Sequence, residues 1–131
     1  MEIPNFKDKT VLIVEDDELS AAFLMEVLEG TGAKLIHVDN ATDAIYKVHD
    51  IESIDIALMD IQLPDMNGWQ ATRIVKKIRK NLPVIIQSAF ALETHIRKSM
   101  EAGCDHFIAK PIDIDKLYSI MEKSMQQYQQ V

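Results

Sequence analysis

A single cysteine, Cys104, in 131 residues leaves no partner for an internal disulfide, and the expected compartment is cytoplasmic. No apolar run approaches the length that crosses a bilayer, the longest being strand-sized pieces such as Thr10 to Val14. If the chain serves a membrane sensor, the spanning part lies elsewhere. Residues 1–9 are charged and lack the apolar stretch of a secretion signal. Four scattered histidines with one cysteine offer no paired spacing for zinc. Basic side chains are also in deficit: 14 against 21 acidic ones give a net charge of −7, which repels nucleic acid and anionic lipid over most of the surface. Neither is an expected partner. No internal repeat, low-complexity tract or composition break marks a second domain, so one domain without a fused output unit is expected.

With 47% apolar and 27% charged residues, the chain has enough apolar surface to bury a core. Thr10-Val-Leu-Ile-Val14 is an uninterrupted β-branched and aliphatic run, the pattern of a strand covered on both faces. The period then turns helical, with Ala21, Leu24, Met25 and Leu28 on one stripe and a stop at Gly30 and Gly32. Lys34 to Val38 is a second strand, and Asn40 caps a second helix with Ala41, Ala44, Ile45 and Val48 inward. Residues 54–59 form the third strand, followed by Asp60 and a turn-rich loop to Gly68. A third helix buries Ala71, Ile74, Val75 and Ile78. A fourth strand spans 84–87, and a weaker helix over 93–102 carries the thin stripe Leu92, Ile96 and Met100 before Gly103. His106 to Ala109 is the fifth strand, and Asp113 opens a last helix with Ile114, Leu117, Tyr118, Met121 and Met125 inward. Residues 1–8 are expected to be a leader or linker, 9–125 the domain, and 126–131 a polar tail. Strands alternating with helices predict an α/β fold: a five-stranded parallel sheet, doubly wound with five helices, in the flavodoxin-like order 2-1-3-4-5.

That order brings Glu15 and Asp16, which follow the first strand, to one crevice with Asp60, which follows the third. Three carboxylates in one crevice require a cation, and an all-oxygen set suits Mg²⁺. Taken alone, Glu15-Asp16-Asp17 could equally stabilise a helix N-terminus. Asp60 turns the reading to metal. Ser88 and Lys110, at the ends of the fourth and fifth strands, add a hydroxyl and a cation to the same edge. A carboxylate nucleophile with metal, ammonium and hydroxyl around it is the apparatus for making an acyl phosphate, with Asp60 as the nucleophile. Two rival functions use related folds. A flavodoxin-like electron carrier needs a Ser/Thr/Gly phosphate loop after the first strand, where this chain has three acids. A Mg²⁺-dependent phosphohydrolase with an aspartyl nucleophile normally places it after the first strand with a second Asp two residues on, where Asp60 has Gln62.

The chain resembles the receiver domains of two-component response regulators and hybrid histidine kinases. The resemblance is carried by Val11-Leu-Ile-Val-Glu-Asp-Asp17, Leu58-Met-Asp-Ile-Gln-Leu-Pro-Asp-Met-Asn-Gly68, Gln87-Ser-Ala89 and Gly103-Cys-Asp-His-Phe-Ile-Ala-Lys-Pro111. It implies phosphoryl transfer to Asp60 from a phosphohistidine on a histidine kinase or histidine phosphotransfer partner. It further implies that Glu15, Asp16, Asp60 and the main-chain carbonyl of Gln62 surround Mg²⁺, that Ser88 and Lys110 bind the phosphoryl group, and that Phe107 is the aromatic switch position. It also implies a cis Lys110–Pro111 bond. Two positions depart from the commonest pattern, Ser88 where threonine is frequent and Phe107 where tyrosine is frequent. Ser88 keeps the hydroxyl, whereas Phe107 lacks a phenolic oxygen. Gln62 and Phe90, two residues past Asp60 and Ser88, flank the approach of an attacking water and are expected to set the phosphoryl lifetime. The surface of the fourth helix, fifth strand and fifth helix is the expected site for a downstream protein. Trp69 is expected to pack at the start of the third helix.

Overall fold

The structure, a computed structural model, describes residues 2–129. β1 (Thr10–Val14) is buried along its whole length, as its unbroken β-branched and aliphatic run dictates. β2 (Lys34–Val38) pairs with one edge of β1 and β3 (Ile56–Asp60) with the other, while β4 (Val84–Ser88) and β5 (His106–Ala109) continue beyond β3. All pairs are parallel and the order is β2-β1-β3-β4-β5, as expected. The sequence reverses direction between β1 and β3, so their carboxyl ends open on the crevice where α/β folds hold ligands.

Five helices complete the layers: α1 (Glu18–Glu29), α2 (Ala41–Asp50), α3 (Gly68–Ile78), α4 (Glu93–Glu101) and α5 (Ile114–Gln129). Short polar side chains start four of them, Asp113 at α5 accepting from the amide of Lys116 at 3.2 Å. Asp17, Asn40 and Asn67 accept from the amides of Ser20, Asp43 and Gln70 at 2.8, 2.8 and 2.9 Å. Alternation along the strands then divides the core. Leu12, Val14, Ala57, Met59, Val84 and Ile86 face α2 and α3, while Val11, Ile13, Ile56, Leu58 and Ile85 face α1 and α5. Phe6, inside the stretch expected to be a leader or linker, is buried against the α1–α5 side, and its N–H donates to the carbonyl of Thr31 at 2.8 Å.

Several expectations are corrected. β3 begins at Ile56 rather than residue 54, and β3 and β4 end on Asp60 and Ser88, which are strand residues rather than loop residues. The buried face of α3 is Ala71, Thr72 and Val75, whereas Ile74 and Ile78 stay exposed at its margin. On α4 the disagreement is complete: Leu92, Ile96 and Met100 are 68%, 38% and 50% exposed, and the buried residue is Ser99. The cause is polar. Ser99 Oγ accepts the indole N–H of Trp69 at 2.9 Å, which fixes the inward face of the helix. α5 extends to Gln129, and residues 130–131 of the expected polar tail lie outside the described residues.

Candidate functional site

Glu15, Asp16, Asp60, Ser88 and Lys110 reach the crevice at or just past strand ends, and Gln62 and Phe90 reach it from the loops that follow β3 and β4. Glu15 follows β1, is fully buried, and accepts the Lys110 ammonium at Oε1. Its backbone carbonyl lies 2.8 Å from His37 Nε2 on β2. Asp60 ends β3 at 7% exposure, with Oδ1 accepting the N–H of Ile61 at 2.9 Å and lying 3.9 Å from Lys110 Nζ. Asp16 is exposed beside them, and carboxylate oxygens of Glu15, Asp16 and Asp60 all lie within 4.8 Å of one another. Asp17 separates from the group. Its carboxylate caps α1, and the Ser20 amide holds its carboxyl below the ordinary range. The helix-terminus reading therefore fits Asp17, and the metal reading fits Glu15 and Asp16.

Ser88 is buried at the end of β4, where its Oγ accepts the N–H of Phe90 at 2.9 Å. Lys110 is tied to the same strand, its amide donating to the Ser88 carbonyl at 2.8 Å, and the Lys110–Pro111 bond is cis as expected. Asp16, Asp60, Gln62, Ser88, Phe90 and Lys110 line one cleft of about 360 Å³. Phe107 stands apart, half-buried on β5 against the α2–α3 side of the core.

The loop after Asp60 is held from two sides. A Cβ at Gly68 would lie 2.1 Å from the Asp60 carbonyl oxygen, so only glycine lets α3 begin against the Asp60 backbone. Asp65 accepts from the amides of Ala41 and Thr42 at 2.9 and 2.8 Å and from the Thr42 hydroxyl at 2.5 Å. Those bonds, the hydroxyl first, lower its carboxyl to about 2. Residue reading missed this tie, because an Asp in a turn-rich loop signals only a turn and the α2 terminus it caps is 23 or more positions away. It also missed Gln87. This residue is aligned with Asp60 in the β3–β4 register, is 1% exposed, and has neither amide atom bonded among the described residues. On the α1–α5 side it lines a groove of about 460 Å³ with Leu19, Phe23, Lys110, Pro111 and Ile112.

Burial, and then the neighbouring Glu15 carboxylate, push the Asp60 carboxyl up to about 7 against the opposing pull of Lys110. One ammonium does not balance three carboxylates. An all-oxygen set within 4.8 Å, open to solvent at Asp16, matches what Mg²⁺ takes, since that ion keeps part of its water and recruits phosphate oxygens.

A doubly wound sheet whose switch point combines three carboxylates with a lysine and a hydroxyl defines a phosphoryl-accepting signalling module. Residues 11–122 match the response regulator receiver domain family, and the chain belongs to that family. It is 33% identical over 110 residues to the polar-differentiation response regulator DivK of Brucella anthropi, covering 82% of this chain and 89% of that protein. Among solved structures, a CheY-like receiver domain protein from Methanospirillum hungatei superposes with a TM-score of 0.86 at 27% identity, over 92% of this chain and 96% of its own. The receiver domain of a sensor histidine kinase from Pseudomonas aeruginosa, with magnesium ion coordinated in its active site cleft, gives 0.84 at 25% identity, over 90% of this chain and 97% of its own. The chain is thus a receiver of two-component signalling, and receivers interact with histidine kinases or phosphotransfer proteins. Receivers bind Mg²⁺ at an acidic pocket, and this chain carries such a cluster. The phosphohydrolase alternative finds no support in these matches. No helix of the described residues is long and apolar enough to cross a membrane.

Proposed function

We propose that Asp60 is the phosphoacceptor, taking the phosphoryl group from a phosphohistidine of a histidine kinase or histidine phosphotransfer partner. The observation that carries this reading is convergence: Asp60 is recessed, lies 3.9 Å from the lysine ammonium and lines the cleft with Ser88, whereas the buried Glu15 does not line that cleft and Asp16 is exposed. An Asp60 oxygen attacks phosphorus as the donor's N–P bond breaks, and the imidazole nitrogen leaves with the electron pair. Glu15, Asp16, Asp60 and the main-chain carbonyl of Gln62 hold Mg²⁺, which supplies positive charge against the phosphoryl oxygens. Lys110 turns from Glu15 to a phosphoryl oxygen, and the Ser88 hydroxyl donates to another. Movement of Ser88 and Phe107 then alters the surface of α4, β5 and α5, where a downstream protein docks. Gln62 and Phe90 border the path of hydrolytic water, and the phenyl ring keeps self-dephosphorylation slow. The chain works in the cytoplasm, as a separate regulator or as the receiver of a hybrid kinase.

Acetyl phosphate should add one phosphoryl mass to the wild type in the presence of Mg²⁺ and none to Asp60→Asn. Equal labelling of both proteins, or labelling unaffected by a chelator, would sink the Asp60 assignment.

A further inference from the structure

A chain of three rings joins the mouth of the Asp60 cleft to α3, and only the first of them, Phe90, enters the proposed phosphoryl chemistry. Phe90 lines the cleft. Its ring meets the imidazole of His95, in the first turn of α4, at 5.7 Å between centroids and 43° between planes. The same imidazole stacks on the indole of Trp69 at 6.2 Å and 16°. Trp69 is itself fixed. Its N–H bonds to Ser99 Oγ at 2.9 Å, the Ser99 hydroxyl donates to the His95 carbonyl at 2.8 Å, and the Lys98 ammonium lies 5.1 Å from the indole centroid. Trp69 also follows Gly68, whose backbone is packed on the Asp60 carbonyl. The ring at the cleft mouth is therefore tied, through His95 and Trp69, to the strand end that carries the nucleophile.

Little else orients that ring. The amide of Phe90 bonds to Ser88 Oγ, which anchors the backbone and leaves the side-chain torsions free. Ala89, Phe90, Ala91 and Leu92 are exposed, and α4 begins without a side-chain cap. His95 Nδ1 is buried without a hydrogen-bond partner among the described residues, so at that atom the imidazole is held by ring contact alone. A phenyl group excludes water from an in-line approach only while it stays over that approach.

We propose that His95 is a positioning residue that holds the Phe90 ring over the cleft and so lengthens the life of the aspartyl phosphate without taking part in its formation. This rests on the reading of Asp60 as phosphoacceptor and Phe90 as its shield. The test labels wild type, Phe90→Gly, His95→Ala, His95→Phe and the Phe90→Gly/His95→Ala double variant with acetyl phosphate and Mg²⁺, removes the donor, and follows intact mass. His95→Ala should take up label at the wild-type initial rate, and both Phe90→Gly and His95→Ala should lose the label roughly three- to tenfold faster. His95→Phe, which restores a stacking ring, should return to the wild-type rate, and the double variant should be no faster than Phe90→Gly. Emission from Trp69, the sole tryptophan, should change in His95→Ala and so report the lost stack. Rapid loss in Phe90→Gly with a wild-type rate in His95→Ala would overturn the role of His95 while leaving the shield in place. A wild-type rate in Phe90→Gly would remove the shield itself, and with it the proposal. Additive acceleration in the double variant would also overturn it, because His95 would then act by another route.

Discussion

At the scale of single residues, the proposed phosphoacceptor carries a cost before any phosphoryl group arrives. Asp60 is buried beside Glu15 and its carboxyl titrates at about 7, well above the ordinary carboxylate near 3.9. A carboxyl raised on folding holds its proton more tightly in the native chain than in the unfolded one. The resulting stability is full below about pH 4 and is lost as pH rises through 7. The ionised form of Asp60, the one the proposed attack requires, is therefore the form that destabilises the metal-free fold. Asp60→Asn removes that charge and keeps the shape. With a chelator at pH 8 the variant should be more stable than wild type by roughly 1–2 kcal/mol, a few degrees in Tm, after discounting the full shift for solvent screening and relaxation. The gap should close by pH 4 and narrow when Mg²⁺ is added. Thermal unfolding across pH, with chelator and with Mg²⁺, checks this. A metal-free wild type as stable as the variant at pH 8 would show that Lys110 already balances the site.

At the scale of elements, what could be read from residues depended on whether apolar periodicity or a polar contact set the geometry. β1 announced itself because a strand buried on both faces has no alternation to misread, and the caps at Asp17, Asn40 and Asn67 are local. The site residues at strand ends were legible for the same reason, once the strand order was placed. α4 was misread because its orientation is fixed by Trp69 donating to Ser99, a contact across 30 positions that no periodicity encodes. The weak apolar stripe nevertheless corresponds to a loosely docked helix. A fully buried Leu or Ile contributes roughly 1.5–3 kcal/mol, and α4 buries none of its large apolar side chains. Leu92 stands at its N-cap, 68% exposed, where a carboxylate would serve better. Leu92→Asp should add roughly 0.5–1 kcal/mol to stability in urea unfolding and slow amide exchange over Glu93–Glu101. If movement of α4 carries the signal, the exchange change produced by beryllofluoride in that helix should be smaller in the variant than in wild type. An equal change in both would place the response in other elements.

At the scale of the whole molecule, the parallel sheet gives its carboxyl edge two working sides. The last residues of β4 point opposite ways, Ser88 into the phosphoryl cleft and Gln87 into the groove on the α1–α5 side, and Lys110 lines both. A protein donor must bring its phosphohistidine to an aspartate that is only 7% exposed, so it must rest on the surface that borders the cleft. A small donor such as acetyl phosphate needs no such surface. On the α1 side that border is apolar: Leu19 is 83% exposed, and Phe23 follows it one turn on. Exposed apolar residues around a groove are where a partner helix gains most from burial, while Lys110 at the shared wall is positioned to feel both donor and phosphoryl group. Phe23→Asp adds a charge at the centre of this border without touching the carboxylates, the lysine or the hydroxyl. Transfer from a phosphorylated histidine phosphotransfer protein should slow by roughly tenfold or more, since burying an unpaired carboxylate in an apolar contact costs well over 1 kcal/mol. Labelling by acetyl phosphate should keep its wild-type rate, and the thermal midpoint should barely move because the side chain is already exposed. Comparing the two donors on the same protein isolates docking from chemistry. Equal slowing with both donors would mean that Phe23 supports the cleft itself, and unchanged transfer from the protein donor would move the docking surface off α1.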